Sequence, residues 1–257
     1  PEVFRINDLT EEFVRRGHQV TVLTGAPNYP DGSVFSEYAD NPNAYKTYKG
    51  VDIVRVPIVV RGKGDFQLIL NYLTFIISST VIGLFKLRKH SFDSIFVFQP
   101  SPITVGLPAI VFRYFKKSPL VFWVLDLWPD TLEAVGVVRS KIILSVIGRL
   151  VSFIYNHCDL LLGQSKSFLP HIQKNSKNRR IEYFPSWADS VIQQVQKNTN
   201  SSMKSGDNFN VMFTGNVGDS QDFPAILNAV DLLKGNNSIH WTIVGDGRMS
   251  DWLKKEI

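Results

Sequence analysis

With 257 residues, 44% of them hydrophobic and 20% charged, the chain is globular rather than disordered, and long enough for one large or two ordinary domains. Its formal charge of +5 points to anionic partners, phosphorylated small molecules or lipid head groups, while no aromatic-and-basic platform for nucleic acid is evident. The single cysteine, Cys158, excludes an internal disulfide; beside Asp159 and the apolar run 160–162 it reads as a buried small hydrophobe in a reducing compartment, not a nucleophile.

Residues 6–16 place Ile6, Leu9, Phe13 and Val14 at helical spacing, and Gly17 stops the helix. Residues 18–24 alternate as a strand, with His18 read as a turn or packing residue just past the glycine. The run Asn-Tyr-Pro-Asp-Gly at 28–32 is dense turn chemistry, a plain connector or an acceptor-binding lip. Residues 51–57 read as a further strand and 61–64 as a short basic glycine loop.

Residues 66–85 carry no charge over twenty positions, which meets the length of a membrane span. The pattern argues against one: Gln67, Asn71, Thr74 and Ser78 form a polar helical stripe opposite Leu70, Leu73 and Ile77. A core helix is the favoured reading over one lying at a membrane face, although Lys86, Arg88, Lys89 and His90 follow directly.

Residues 94–98 form a short buried strand ending at Gln99, a ligand-side position, and 103–115 the next helix. Residues 120–125 are an apolar, charge-free run, a strand buried on both faces of a parallel sheet. Asp126, Trp128, Pro129, Asp130 and Glu133 then follow abruptly, at the carboxyl end of the strand where open α/β sheets bind ligands. Asp130 or Thr131 reads as a helix cap and Glu133 as a complement to the helix dipole. Asp126 leaves the strand before any cap position and is the first candidate site residue. Beyond it, 141–155 reads as a helix, 160–163 as a strand, a helix capped by Ser165 or Ser167 runs through Ile172, and 181–184 is strand-like.

This alternation predicts an α/β fold of Rossmann-like domains with parallel sheets: 1–187 as the first domain, a polar linker at 188–207, and the start of a second domain at 208–257. The rhythm restarts with strands at 209–214 and 240–244 around a helix at 224–233. Each new strand ends in a glycine loop, Thr-Gly-Asn-Val-Gly-Asp-Ser-Gln at 214–221 and Val-Gly-Asp-Gly-Arg at 244–248, a pair suited to holding phosphate as well as to ordinary turns. Neither is a P-loop, and five histidines and one cysteine show no zinc spacing. The start at Pro1 and the helix-like opening at 251–257 lead us to expect a piece of a longer protein.

Taken in order, Arg16-Gly-His-Gln-Val-Thr-Val-Leu-Thr24, Pro27-Asn-Tyr-Pro-Asp-Gly32, Asp126-Leu-Trp-Pro-Asp130, the 214–221 loop and Val244-Gly-Asp-Gly247 resemble the GT-B glycosyltransferases of family 4. Nearest in kind are bacterial enzymes of O-antigen and colanic-acid assembly, including N-acetyl-L-fucosamine transferases. The resemblance implies two Rossmann-like domains facing a cleft and a retaining, metal-independent transfer with no cofactor. The sugar would pass from a UDP-sugar to a saccharide on undecaprenyl diphosphate, by a peripheral protein on the cytoplasmic face of the bacterial plasma membrane. By position it implies Asp126 at the transferred sugar or acceptor hydroxyl, and Gly215, Asn216, Gly218 and Gln221 at the donor diphosphate. It would likewise place Gly245 and Gly247 nearer the nucleotide, and Asn28, Tyr29, Gln99 and Arg5 on the acceptor side. Asn216 and Gln221 stand where many relatives carry arginine and lysine, so Arg5, Arg61 or Arg248 is left to supply the compensating cation. The family's first strand and its late acidic motif have no counterpart here, and the chain alone is expected to be inactive. Rival readings are a GT-B nucleotide-sugar epimerase, a Rossmann dehydrogenase and a non-catalytic sugar-binding module.

Overall fold

The computed structural model describes residues 2–28, 32–62, 64–177, 180–187 and 209–257. The expected linker at 188–207 and Tyr29 lie outside the described residues. The chain divides into two compact units, Pro1–Val195 and Gln196–Ile257.

In the first unit, helix α1 (Glu2–Arg15) ends at Gly17, whose φ of +89° only glycine adopts at low cost, and leads into β1 (Thr21–Gly25). A short helix α2 (Ser36–Asp40) and a two-residue strand β2 (Thr47–Tyr48) precede β3 (Val51–Val56). β1 pairs with β3 in parallel, and β2 pairs with β3 antiparallel, a small departure from the expected all-parallel pattern. Helix α3 (Asp65–Ser78) continues through a π-helical turn at Ser79–Gly83 into α4 (Leu84–Lys86).

The second sheet of this unit has the order β4-β5-β6-β7 and is parallel throughout: β4 (Ile95–Gln99), β5 (Leu120–Val124), β6 (Leu160–Gly163) and β7 (Ile181–Tyr183). Its crossovers are α5 (Gly106–Lys116), α6 (Asp130–Ala134) with α7 (Lys141–Asn156), and α8 (Phe168–Asn175). Alternation along β5 explains why this strand carries no charge. Leu120, Phe122 and Val124 pack with Ile154 of α7 and Ile172 of α8, while Trp123 and Leu125 pack with Leu9 of α1 on the opposite face. Arg113 of α5 grips Asp159 with two hydrogen bonds of 2.7 and 2.9 Å, and Asp159 also accepts the Leu120 amide at 2.7 Å, which sets the start of β5 against the start of β6.

The second unit pairs β8 (Phe209–Thr214) with β9 (Ile239–Val244) in parallel, register Phe209 to Ile239, through α9 (Phe223–Leu233), and closes with α10 (Ser250–Glu256). Its buried centre is Val217, Phe223 and Leu253.

The apolar helix is seated the opposite way from a core helix. Its polar stripe meets the protein: Asn71 Nδ2 donates to the Val59 carbonyl at 2.6 Å, and Thr74 Oγ1 accepts the Val59 amide at 3.0 Å. The apolar stripe faces out, with Phe66, Ile69, Leu73, Ile77, Val81 and Phe85 each 49% to 72% exposed. Phe66–Lys86 is long and apolar enough to cross a membrane, and only 11% of its most apolar window is buried. The reading of this segment as a core helix is therefore corrected. The Val59 N–H and C=O find their partners in Thr74 and Asn71 of this helix, and satisfying them decides which stripe turns inward.

Candidate active site

The carboxyl ends of the parallel strands carry the first group of candidates. Leu125 N donates to the Gln99 carbonyl at 3.2 Å as β5 ends, and the next residue is Asp126. Its Oδ2 accepts the Trp128 indole N–H at 3.0 Å, and the residue is half-buried, so one carboxylate oxygen is committed and the group is oriented. Asp130 is not the expected cap. It is the first helical residue of α6 and its carboxylate reaches His171 Nδ1 at 2.9 Å, while Thr131 Oγ1 donates to the Leu127 carbonyl. A side chain already inside the first turn points away from the amides that a capping oxygen must meet, which leaves Pro129 at the cap position. Ser167 likewise stands at the cap position of α8 without a side-chain cap bond, its hydroxyl lying 2.8 Å from Ser165 Oγ instead.

Two loops from the other sheet are fastened to one another beside α3. Asn28 Oδ1 accepts the Arg61 amide at 3.1 Å, and Asn28 Nδ2 donates to the Ala26 carbonyl. Gly32 and Gly62 take φ of +71° and +57°, and a Cβ on Gly32 would lie 3.0 Å from the Gly62 backbone N, so both turns favour glycine. Asn28 thus joins the loops after β1 and β3. Arg61 and Asp126 both act on the Tyr72 phenol of α3. Burial raises its pKa, Arg61 pulls it down and Asp126 pushes it up, with a net rise that keeps the hydroxyl protonated. The three side chains therefore belong to one neighbourhood. Tyr72 carries no sequence signal, since an aromatic residue on an apolar helix reads as packing. Gln164, also unmarked in the sequence, braces the same edge: Nε2 donates to the Leu125 carbonyl at 2.8 Å and Oε1 accepts from Ser186 at 2.9 Å.

The remaining acceptor-side candidates are dispersed. Gln99 is wholly buried, and neither end of its amide has a partner among the described residues. Arg5 stands half-buried in the first half of α1. Among the described residues, no group of three or more His, Cys, Asp or Glu side chains is arranged to hold a metal ion. Cys158 is buried, its thiol donating to the Ile154 carbonyl and pushed up to about 12 by burial, in keeping with an inert residue.

In the second unit the two glycine loops lie backbone against backbone. Gly215 N donates to the Val244 carbonyl at 3.0 Å, Val217 N to the Asp246 carbonyl at 2.9 Å, and Met249 N to the Val217 carbonyl at 3.0 Å. A Cβ on Gly245 would come within 1.8 Å of Gly215 O, and one on Gly247 within 2.3 Å of Val217 O and 2.7 Å of Asn216 Oδ1. A Cβ on Gly218 would meet Asn216 Nδ2 at 2.5 Å and Gln221 Oε1 at 3.2 Å. Gly215, Asn216, Gly218, Gln221, Gly245 and Gly247 are thus gathered into one patch at the carboxyl ends of two parallel strands. The amides of Gly215 and Val217 are already bonded, so an anion held here would be met by other groups, the Asn216 and Gln221 side chains among them.

No protein-family model matches the chain, and no curated protein matches its sequence. Among solved structures it is similar to HepE from Anabaena, solved in complex with UDP and glucose, with a TM-score of 0.54 at 10% identity. The chain has a GT-B fold. The likeness covers 93% of this chain and 65% of HepE, so the chain spans a little under two thirds of that protein's length. At this identity the GT-B likeness is one of fold, and it assigns no role to any residue.

Proposed function

We propose that this protein is a retaining glycosyltransferase that moves a sugar, an N-acetylated deoxyhexosamine such as L-FucNAc, from a UDP-sugar to a lipid-linked saccharide in bacterial surface polysaccharide synthesis. The observation that carries the reading is the pair of interlocked glycine loops at the ends of β8 and β9, in a fold shared with a protein that holds UDP and glucose. In this reading the loop residues, with Arg248 as the cation, hold the donor diphosphate without a metal ion. Asp126, Tyr72 and Arg61 attend the sugar and the acceptor. The acceptor hydroxyl oxygen forms a bond to the anomeric carbon as the bond from that carbon to the diphosphate oxygen breaks. The electron pair leaves with UDP, and the hydroxyl proton passes to the departing diphosphate on the same face, with protein groups stabilising the developing charges.

The acceptor we assign is a saccharide on undecaprenyl diphosphate, met at the cytoplasmic face of the plasma membrane. The outward apolar stripe from Phe66 to Phe85 and the basic residues Lys86, Arg88, Lys89 and His90 support peripheral attachment there. The reading is tested by UDP release from UDP-N-acetylhexosamines with membrane-extracted lipid-linked acceptor, for the whole protein and for Asp126→Ala and Tyr72→Phe. We expect acceptor-dependent release that falls about a hundredfold or more in Asp126→Ala. Turnover of UDP-sugar without acceptor would indicate epimerisation or hydrolysis, and full activity in Asp126→Ala would return that residue to a structural role.

A further inference from the structure

The segment from α3 to α4 follows the carboxyl end of β3 in the three-stranded sheet and leads to the start of β4 in the four-stranded one, so Lys86 precedes the amino end of the sheet whose carboxyl end carries Asp126. At that end is a cavity of about 530 Å³, the size of an organic ligand site. Tyr38, Tyr45, Lys46, Arg55, Lys86 and His90 line it, and Asp52 is the only carboxylate among the lining residues. Arg55 is fixed from several sides. Its Nη1 donates to the Gly25 carbonyl at 2.9 Å, its guanidinium lies 4.9 Å from the Tyr38 ring centroid, and its own carbonyl accepts Lys86 Nζ at 2.7 Å. Its Nε is buried without an acceptor among the described residues. Burial also lowers the pKa of the guanidinium, against the pull of the Tyr38 phenol, which marks a cation held partly out of water.

The cavity meets the apolar stripe through the chain, where Lys86 of its lining follows Phe85. Phe85 immediately precedes Lys86 and is exposed, with the Arg88 guanidinium 4.1 Å from its ring centroid. A phosphate held by Lys86 would be one residue along the chain from Phe85, at the end of an exposed row of Phe85, Val81 and Ile77 that can receive an acyl chain. Fixed cations, two phenols and an adjacent apolar ridge match the two chemistries of one molecule, an anionic phospholipid.

We propose that the cavity bounded by Lys46, Arg55, Lys86 and His90 binds the phosphate head of an anionic phospholipid. This site seats the α3 stripe on the bilayer and rests on the peripheral attachment proposed above. It makes attachment depend on a head group and not on apolar contact alone.

The test uses the 257-residue chain in flotation at low salt, with phosphatidylcholine vesicles and with the same vesicles containing phosphatidylglycerol. Lys46→Gln/Arg55→Gln is compared with wild type, and thermal melts report folding. We expect partition onto the phosphatidylglycerol vesicles to fall about thirtyfold in the double variant, from the loss of two cations at the surface, with partition onto pure phosphatidylcholine unchanged. Unchanged partition of a folded double variant onto the anionic vesicles overturns the head-group site while leaving the attachment itself standing. Failure of the wild type to float with either vesicle overturns the attachment and the site together. Should the double variant not fold, Lys46→Glu at an exposed lysine gives the same comparison, with a loss expected and no loss overturning the site. Binding of glycerol phosphate in solution by a chain that floats no better with phosphatidylglycerol than with pure phosphatidylcholine would identify a site for free phosphate esters and overturn the lipid assignment.

Discussion

Replacing Gly245 by alanine tests whether the two glycine loops are in backbone contact. The new Cβ would stand 1.8 Å from Gly215 O and 3.0 Å from Gly215 C, both backbone atoms that no side-chain rotation can move. A relaxed carbon-to-oxygen approach is about 3.3 Å or more, so the loops must part by about 1.5 Å. That displacement breaks the bonds from Gly215 N to Val244 O and from Val217 N to Asp246 O, each contributing about 1 kcal/mol. The backbone at φ +156° adds strain of about 1–3 kcal/mol for a residue with a side chain. The sum, about 3–5 kcal/mol, is a large part of what a small domain has in reserve. The unit it falls on is centred on the buried residues Val217, Phe223 and Leu253. Amide hydrogen exchange read by mass spectrometry separates the units. We predict that protection of Phe209–Thr214 falls by about two to three orders of magnitude, with Leu120–Val124 unaffected. Gly235→Ala, where a Cβ meets nothing within 4 Å, serves as the control and should change protection little. Equal protection of β8 in Gly245→Ala and wild type would refute the loop contact.

Further expected outcomes concern the first unit. Because the Cys158 thiol is buried and pushed up to about 12, a thiol reagent at pH 8 should label it no faster than the protein unfolds; rapid stoichiometric labelling of the folded chain would contradict its placement. Arg113→Met should cost about 1 kcal/mol at pH 7, since both partners of the Asp159 pair are about one-third exposed and screened, and lower Tm by about 2–4 °C. Burial alone would raise the Asp159 carboxyl, but Arg113 and the Leu120 amide outweigh it and hold the carboxyl below its ordinary range. Its contribution is thus present above the unfolded pKa of about 4 and fades as pH falls through the lower folded value. Melts at pH 7 and pH 2.5 should show the gap between Arg113→Met and wild type closing in acid, and a widening gap would be fatal to the assignment. Trp128→Phe removes the indole donor to Asp126 and should lower acceptor-dependent UDP release about tenfold with little change in melting temperature; no effect on turnover would separate that hydrogen bond from the chemistry.

Much of the first unit was legible because parallel strands buried on both faces must be nearly charge-free. The runs at 120–125 and 160–163 and the helix stop at Gly17 agree with β5, β6 and α1 for that reason. The two-residue β2 was too short to show a period. For α3 the helical wheel separated a polar from an apolar stripe, yet the side that meets the protein depended on the Val59 backbone, a partner distant in sequence. Tyr72 and Gln164 were invisible for a related reason, since their roles arise from neighbours in other strands and loops. The glycine loops were legible one at a time. Their contact was not, because it needs the spacing of β8 and β9 to bring Gly245 onto Gly215.

Leu120, Phe122, Trp123 and Val124 have no exposed surface at all, and β5 is flanked by β4 and β6. The strand that delivers Asp126 is thereby the stationary datum of this edge, while Asn28 and Arg61 arrive on loops of a separate three-stranded sheet. Sequence drift in those loops re-aims Asn28 and Arg61 without displacing Asp126. Such a division lets the two loops vary around a fixed carboxylate, so long as the left-handed turns at Gly32 and Gly62, with φ of +71° and +57°, are kept.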